Sequence, residues 1–129
     1  GSWLSDSQIE FLSRYKVAVC LENAIARNYF TEKFVNVARA GSIPVYHADD
    51  TVRREILGGA RWIDPADYGF DPDRTIRAAL AADVDSIRSA NFAWLRTPAA
   101  KAGDGFLIWD LVLAFVLAKL DHNCNAMAP

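Results

Sequence analysis

The chain has few of the residues that build metal centres and covalent staples. Cysteine occurs twice, at Cys20 inside an apolar run and at Cys124 near the C-terminal end, and histidine twice, at His47 and His122. Two thiols make no disulfide framework, and four such ligands scattered along the chain lack the spacing of a zinc site, so no metal is expected. Charge of one sign is also lacking: 14 Lys and Arg face 16 Asp and Glu, a net charge of −2, with no basic cluster. Affinity for nucleic acid comes largely from neutralised phosphates, and nucleic acid is therefore not an expected partner. The most apolar stretch, Phe106 to Leu120, contains Asp110 and Lys119 and is shorter than the ~20 apolar residues of a membrane span. Repeats, low-complexity tracts and a second compositional regime are absent as well. The 129 residues are read as one domain, in keeping with the ~100–200 residues usual for one. Gly1-Ser2 reads as the scar of tag removal, and localisation stays open.

What is present is the composition of an ordinary globular protein, 52% hydrophobic and 23% charged. Trp3 to Tyr15 reads as a short opening helix, with Ser5, Asp6 and Ser7 available as caps. Lys16-Val17-Ala18-Val19-Cys20-Leu21 is a buried strand, ended by Glu22-Asn23. Thr31 caps a helix whose Phe34, Val35, Val37 and Ala38 recur at helical spacing up to Gly41. Ile43-Pro44-Val45-Tyr46 follows as a second strand, its proline tolerable near the start. Strand, helix, strand points to a parallel βαβ unit. Thr51 to Leu57 reads as a short helix and Ala60-Arg61-Trp62-Ile63-Asp64 as a third strand closed by Pro65. Asp71-Pro72-Asp73 opens a helix with Ile76, Ala79 and Leu80 as its buried stripe. A further helix, Asp83 to Leu95, has Ile87, Ala90 and Trp94 inward. Thr97 to Gly105 is a loop, and Phe106 to Leu120 a last helix that needs burial by this domain or by a partner. The fold class is α/β, with a short, mostly parallel sheet of three or more strands and a helical C-terminal part.

The start of the helix at Thr31 carries the most chemical information. Tyr29-Phe30-Thr31-Glu32-Lys33 sets a lysine in the first turn, where a helix carries roughly half a positive charge. That placement is explained if an anion sits there. Free backbone N–H groups and an ammonium just after a strand-to-helix crossover form a phosphate site, for which a nucleotide diphosphate is the natural guest. The plainer account is that Lys33 points to water or pairs with Glu32, itself favourable in a first turn and otherwise a hydroxyl acceptor for ribose or sugar. Glu22 and Asn23 stand at the carboxyl end of the first strand, where ligand crevices form, or simply start a turn.

Three other constellations have plain explanations. Asp71-Pro72-Asp73 and Asp83-Val84-Asp85 match a loose Asp-x-Asp metal pattern, but both precede helices and act as caps. Asp121-His122-Asn123-Cys124 offers a thiol and an imidazole without a third ligand. His47 beside Asp49 and Asp50 makes either an acid/base cluster at a strand end or an exposed polar loop.

Taken together, Tyr15-Lys16-Val17-Ala18-Val19-Cys20-Leu21-Glu22-Asn23, then Tyr29-Phe30-Thr31-Glu32-Lys33, then Ala40-Gly41-Ser42-Ile43-Pro44-Val45-Tyr46 resemble the donor-binding half of the α-1,3/4-fucosyltransferases, glycosyltransferase family ten. That family reads as an apolar strand ending in Phe-Glu-Asn, a Tyr-Val-Thr-Glu-Lys block, and a helix leading into Gly-x-x-Pro-Val/Ile. The likeness continues through Ala60-Arg61-Trp62-Ile63-Asp64 and Asp67-Tyr68, covering residues 15–95.

The resemblance implies a Rossmann-like domain, the C-terminal half of a GT-B-type glycosyltransferase. It would bind GDP-fucose without a metal or other cofactor and transfer fucose to a glycan hydroxyl with inversion. It further implies that Lys33 neutralises the departing diphosphate with Glu32 beside it. By the same resemblance Tyr29 and Glu32 contact the donor, while Glu22, Asn23 and Thr31 shape the pocket. A bacterial member would be cytoplasmic and a eukaryotic one would face the Golgi lumen. Leu21 replaces the family's aromatic, Phe30 its valine, and Tyr46-His47-Ala48 lacks its glycine. The family's general base and acceptor site lie in an N-terminal domain, so this chain is expected to be incomplete as a transferase. The alternative is a non-catalytic interaction or dimerisation module that forms a homo-oligomer through Phe106–Leu120.

Overall fold

The computed structural model describes residues 3–103 together with Val116, Leu117 and Lys119. Two short strands organise it: β1 (Val17–Val19) and β2 (Ile43–Val45) pair in parallel, with Val17 opposite Ile43 and Val19 opposite Val45. A parallel pair needs a crossover, and α2 (Glu32–Ala40) supplies it. Thr31 caps its start from an extended backbone, Oγ1 accepting from the Lys33 N–H. Gly41 ends it at φ +78°, its N–H donating to the Ala38 carbonyl. That left-handed conformation suits glycine, and a Cβ on Gly41 would lie 2.7 Å from Arg88 Nε, so that the arginine side chain would have to move.

Strand alternation sorts side chains onto two faces. Ala18, Cys20 and Tyr46 share one core with Phe30, Phe34, Val35 and Trp94. On the other face Ile43 and Val45, flanked by Val17, pack with Ala79 of α4 (Pro72–Ala81) and Ile87 of α5 (Val84–Trp94). Because both faces are covered, β2 is buried at every position, as a parallel strand between helical layers should be. α1 (Trp3–Leu12) lies against α2, and Ser5, Asp6 and Ser7 fall inside α1 rather than capping it. α3 (Asp50–Glu55) and a 3-10 helix at Pro65–Tyr68 complete the connection to α4.

The fold is α/β with a short parallel sheet, as read from the sequence, but two expectations are corrected. The strand expected at Ala60–Asp64 contracts to one parallel bridge, Ile63 to Val45. The cause is a long-range pairing: the Arg61 N–H donates to Asn91 Oδ1 at 2.7 Å and the Arg61 carbonyl accepts from Asn91 Nδ2 at 2.9 Å. A buried side-chain amide from α5 thereby takes both backbone groups that a neighbouring strand would have used. Leu80 is exposed, because α4 turns its Thr75–Ala79 line to the sheet and leaves the Ile76–Leu80 line at the rim. The helix expected over residues 106–120, the oligomer surface placed on it and the tail at 121–124 lie outside the described residues, except that Val116, Leu117 and Lys119 are helical.

Phe34 sits at the centre of the aromatic core, its ring centroid 5.1 Å from Tyr46, 5.3 Å from Trp94 and 6.0 Å from Trp62. Phe34→Ala should destabilise the domain by about 3–5 kcal/mol, read by urea unfolding; a loss under about 1 kcal/mol would contradict this placement of the core. Gly41→Ala should also destabilise, and the second change Arg88→Ala should recover only part of the loss, since the positive φ remains.

Candidate functional site

The carboxyl end of β1 meets the start of α2 at one buried acid. The Glu22 side chain is 0% exposed, and an isolated carboxylate there would cost several kcal/mol. Its oxygens are instead surrounded by donors. Thr31 gives its backbone N–H to Oε1 at 3.1 Å, and its hydroxyl lies 2.9 Å from Oε1 and 2.8 Å from Oε2. The Tyr46 hydroxyl donates to Oε1 at 2.8 Å. One residue, Thr31, therefore caps α2 and ties it to the end of β1 in the same act.

Lys33 completes the cluster. Its ammonium donates to Asn23 Oδ1 at 3.1 Å and to the Leu21 carbonyl at 3.5 Å, while Glu22 Oε2 stands 3.9 Å away. The last distance is an ion pair without hydrogen-bond contact. Lys33 thus turns back over the strand end rather than pairing with Glu32, and its side chain is 33% exposed. The ammonium is thus hydrogen-bonded by neutral oxygens only, beside a helix N-terminus whose backbone N–H groups carry partial positive charge.

Of the residues singled out from the sequence, the structure brings together Glu22, Asn23, Thr31 and Lys33. Tyr29 and Glu32 are exposed on the same segment. Sequence reasoning missed Tyr46. Burial first, then the hydrogen bond to Glu22 and its charge, push the Tyr46 phenol well above its ordinary range. The Cys20 thiol is likewise pushed up, chiefly by burial and then by Glu22, with Lys33 opposing. Cys20 is buried in the core, its thiol donating to the Val45 carbonyl at 3.6 Å.

On the other side of the strand end lies an apolar cleft of about 420 Å³, lined among others by Val19, Leu21, Val45, His47, Pro65 and Phe70. Leu21 and Glu22 border both this cleft and the Lys33 cluster. His47 pairs here with Asp64, Nδ1 to Oδ1 at 2.9 Å, so of the two readings left open neither the cluster with Asp49 and Asp50 nor a fully exposed loop describes this half-buried residue. Asp49 is occupied as the cap of α3, accepting from the Thr51 N–H at 2.8 Å, a bond that lowers its carboxyl's pKa. Asp50 faces Arg53. Among the described residues no group of three or more His, Cys, Asp and Glu could hold a metal ion. No helix among them is long and apolar enough to cross a membrane.

The raised Tyr46 pKa fixes a sign. The fold holds the protonated phenol more tightly than the unfolded chain does, so this contribution is whole below the ordinary value of about 10 and is lost as pH rises beyond it. Stability of the parent chain should fall more steeply than that of Tyr46→Phe between about pH 9 and 11, measured by urea unfolding; parallel curves would contradict the burial of the hydroxyl.

The family model "Glycosyltransferase family 10 (fucosyltransferase) C-term" matches residues 4–87. A protein of Acanthamoeba polyphaga mimivirus that carries a fucosyltransferase name is 42% identical over 55 residues, 43% of this chain and 9% of that protein. Alpha-(1,3)-fucosyltransferase B of Drosophila melanogaster is 39% identical over 49 residues, 38% of this chain and 11% of that protein. The chain therefore spans about a tenth of the length of these relatives. A crystal structure of an alpha1,3-fucosyltransferase with GDP superposes with a TM-score of 0.45 and 24% identity, over 70% of this chain and 25% of that one. Through residues 4–87 this chain belongs to glycosyltransferase family 10, the fucosyltransferases, and matches its C-terminal region.

Proposed function

We propose that this chain is the donor-binding part of a fucosyltransferase, a single domain that binds GDP-fucose through its diphosphate at the start of α2. Acceptor binding and the general base come from a further domain. The observation that carries this reading is Lys33: an ammonium held by Asn23 and a backbone carbonyl at the carboxyl end of a parallel strand, next to a helix N-terminus. Family membership through residues 4–87 supports the substrate class. Tyr29 and Glu32, exposed on the approach to that turn, would contact the donor's phosphate, ribose or fucose, while Glu22, Asn23 and Thr31 hold the shape of the pocket.

In the transfer itself the acceptor hydroxyl attacks the anomeric carbon from the face opposite the diphosphate, and the bond to the diphosphate oxygen breaks as GDP takes the electron pair. The hydroxyl proton goes to the base on the other domain. Negative charge grows on the diphosphate as the sugar becomes oxocarbenium-like. A cation and backbone amides already aimed at that charge stabilise the transition state more than the ground state. Lys33 and the α2 amides meet the charge in this reading, so no metal or other cofactor is required.

Calorimetric titration with GDP, GDP-fucose and UDP tests it. The chain should bind GDP and GDP-fucose saturably and in preference to UDP, and Lys33→Ala should weaken GDP binding tenfold or more, about 1.4 kcal/mol or above. Equal affinity in the variant would remove Lys33 from the site, and no binding of any nucleotide by the parent chain would remove the donor reading.

A further inference from the structure

We propose that Tyr46 is a positioning residue for the anion site: its hydroxyl shares the charge of Glu22, so that the Lys33 ammonium stays available to a phosphate instead of collapsing onto the carboxylate. The proposal rests on the donor-site reading of Lys33 given above.

The geometry poses a competition. Glu22 Oε2 is 3.9 Å from Lys33 Nζ, near enough that a bare carboxylate would draw the ammonium into direct contact and cancel its charge toward any ligand. In the structure the ammonium donates to neutral oxygens instead, Asn23 Oδ1 at 3.1 Å and the Leu21 carbonyl at 3.5 Å. On the carboxylate, Oε1 is occupied by the Thr31 N–H and by the Tyr46 hydroxyl at 2.8 Å, while the Thr31 hydroxyl lies 2.9 Å from Oε1 and 2.8 Å from Oε2, the oxygen nearer Lys33. Hydrogen bonds to an ionised acceptor are the strong ones, and each delocalises part of its charge. Of these donors only Tyr46 comes from outside the strand end and the turn into α2. It is fully buried, and its ring is fixed 5.1 Å from Phe34 and 6.3 Å from Phe30, both nearly edge-on. A phenol packed among aromatic rings is a rigid donor that loses little freedom on bonding. Its position just after β2 places it on the α2 face, while its neighbours Val45 and His47 border the apolar cleft.

Tyr46→Phe removes the hydroxyl and keeps the ring contacts, which makes it the test. In calorimetric titration with GDP, Tyr46→Phe should weaken binding about three- to tenfold, with GDP-free thermal unfolding confirming a folded variant. The same change in a Glu22→Gln background, where no carboxylate competes, should alter GDP affinity less than about twofold. Unchanged affinity in Tyr46→Phe, or equal weakening in both backgrounds, would overturn the proposal while leaving the Lys33 site standing. A parent chain that fails to bind GDP would overturn both. Should Glu22→Gln not fold, acetylation of the folded proteins decides: Tyr46→Phe should slow labelling of Lys33 relative to Lys16, and an unchanged ratio would overturn the proposal.

Discussion

A charged carboxylate with no exposure to water governs this structure. Glu22 lies three residues beyond β1, and the donors that make its burial tolerable come from the residue before α2 and from the residue after β2. The three parts of the βαβ unit are thereby joined at one point by polar bonds, in addition to the apolar packing of Phe34, Val35 and Tyr46. Breaking a buried charged cluster by removing one partner costs about 3–5 kcal/mol, because the remaining charge is left unsatisfied. The cluster therefore sets the position of the α2 N-terminus relative to the strand end much more tightly than two three-residue strands could.

That constraint explains where the positive charge is found. Lys33 sits in a helical turn that repels cations, yet its ammonium is held by Asn23 and the Leu21 carbonyl. A folded chain stabilises such an arrangement only at a cost, and sites that accept local cost are the ones that act on ligands. The adjoining cleft, mostly apolar and bordered by the same Leu21 and Glu22, gives the strand end a second, differently wetted surface. Strain of another kind lies on the cleft's far wall: Phe70 adopts φ +57°, uncommon for a bulky side chain, and its ring meets His47 edge-on at 5.1 Å.

Much of the βαβ unit was legible because each boundary has its own chemical marker. Thr31 is a cap and Gly41 a left-handed stop, whereas Pro44, read as tolerable near a strand start, is the middle residue of the three-residue β2. The starts of α4 and α5 were equally plain, since Asp71 and Asp83 cap them. The short third strand misled because its apolar pattern is real, while the groups that replaced its neighbour sit on Asn91, 30 residues away. Spacing along the chain gives no account of such a pairing. The site was half legible for the same reason. Glu22, Asn23, Thr31 and Lys33 were marked by their places at a strand end and a helix start. Tyr46 reads as one more apolar strand residue until the fold brings its hydroxyl to Glu22. The parity of β2 was the available signal, since it sets Tyr46 on the α2 face with Pro44. The His47 partner, Asp64, lies 17 residues on, and nearer acids concealed it.

The account turns on an anion meeting the first turn of α2 beside Lys33, and amide NMR of the isotopically labelled chain during titration with GDP observes that meeting residue by residue. The largest shifts should fall on Asn23 and on Thr31 through Phe34, saturating together, with smaller ones at residues 45–47. Shifts confined elsewhere, for example to the surface around Arg53 and Trp62, would show that the nucleotide binds away from the Glu22 cluster and would contradict the account.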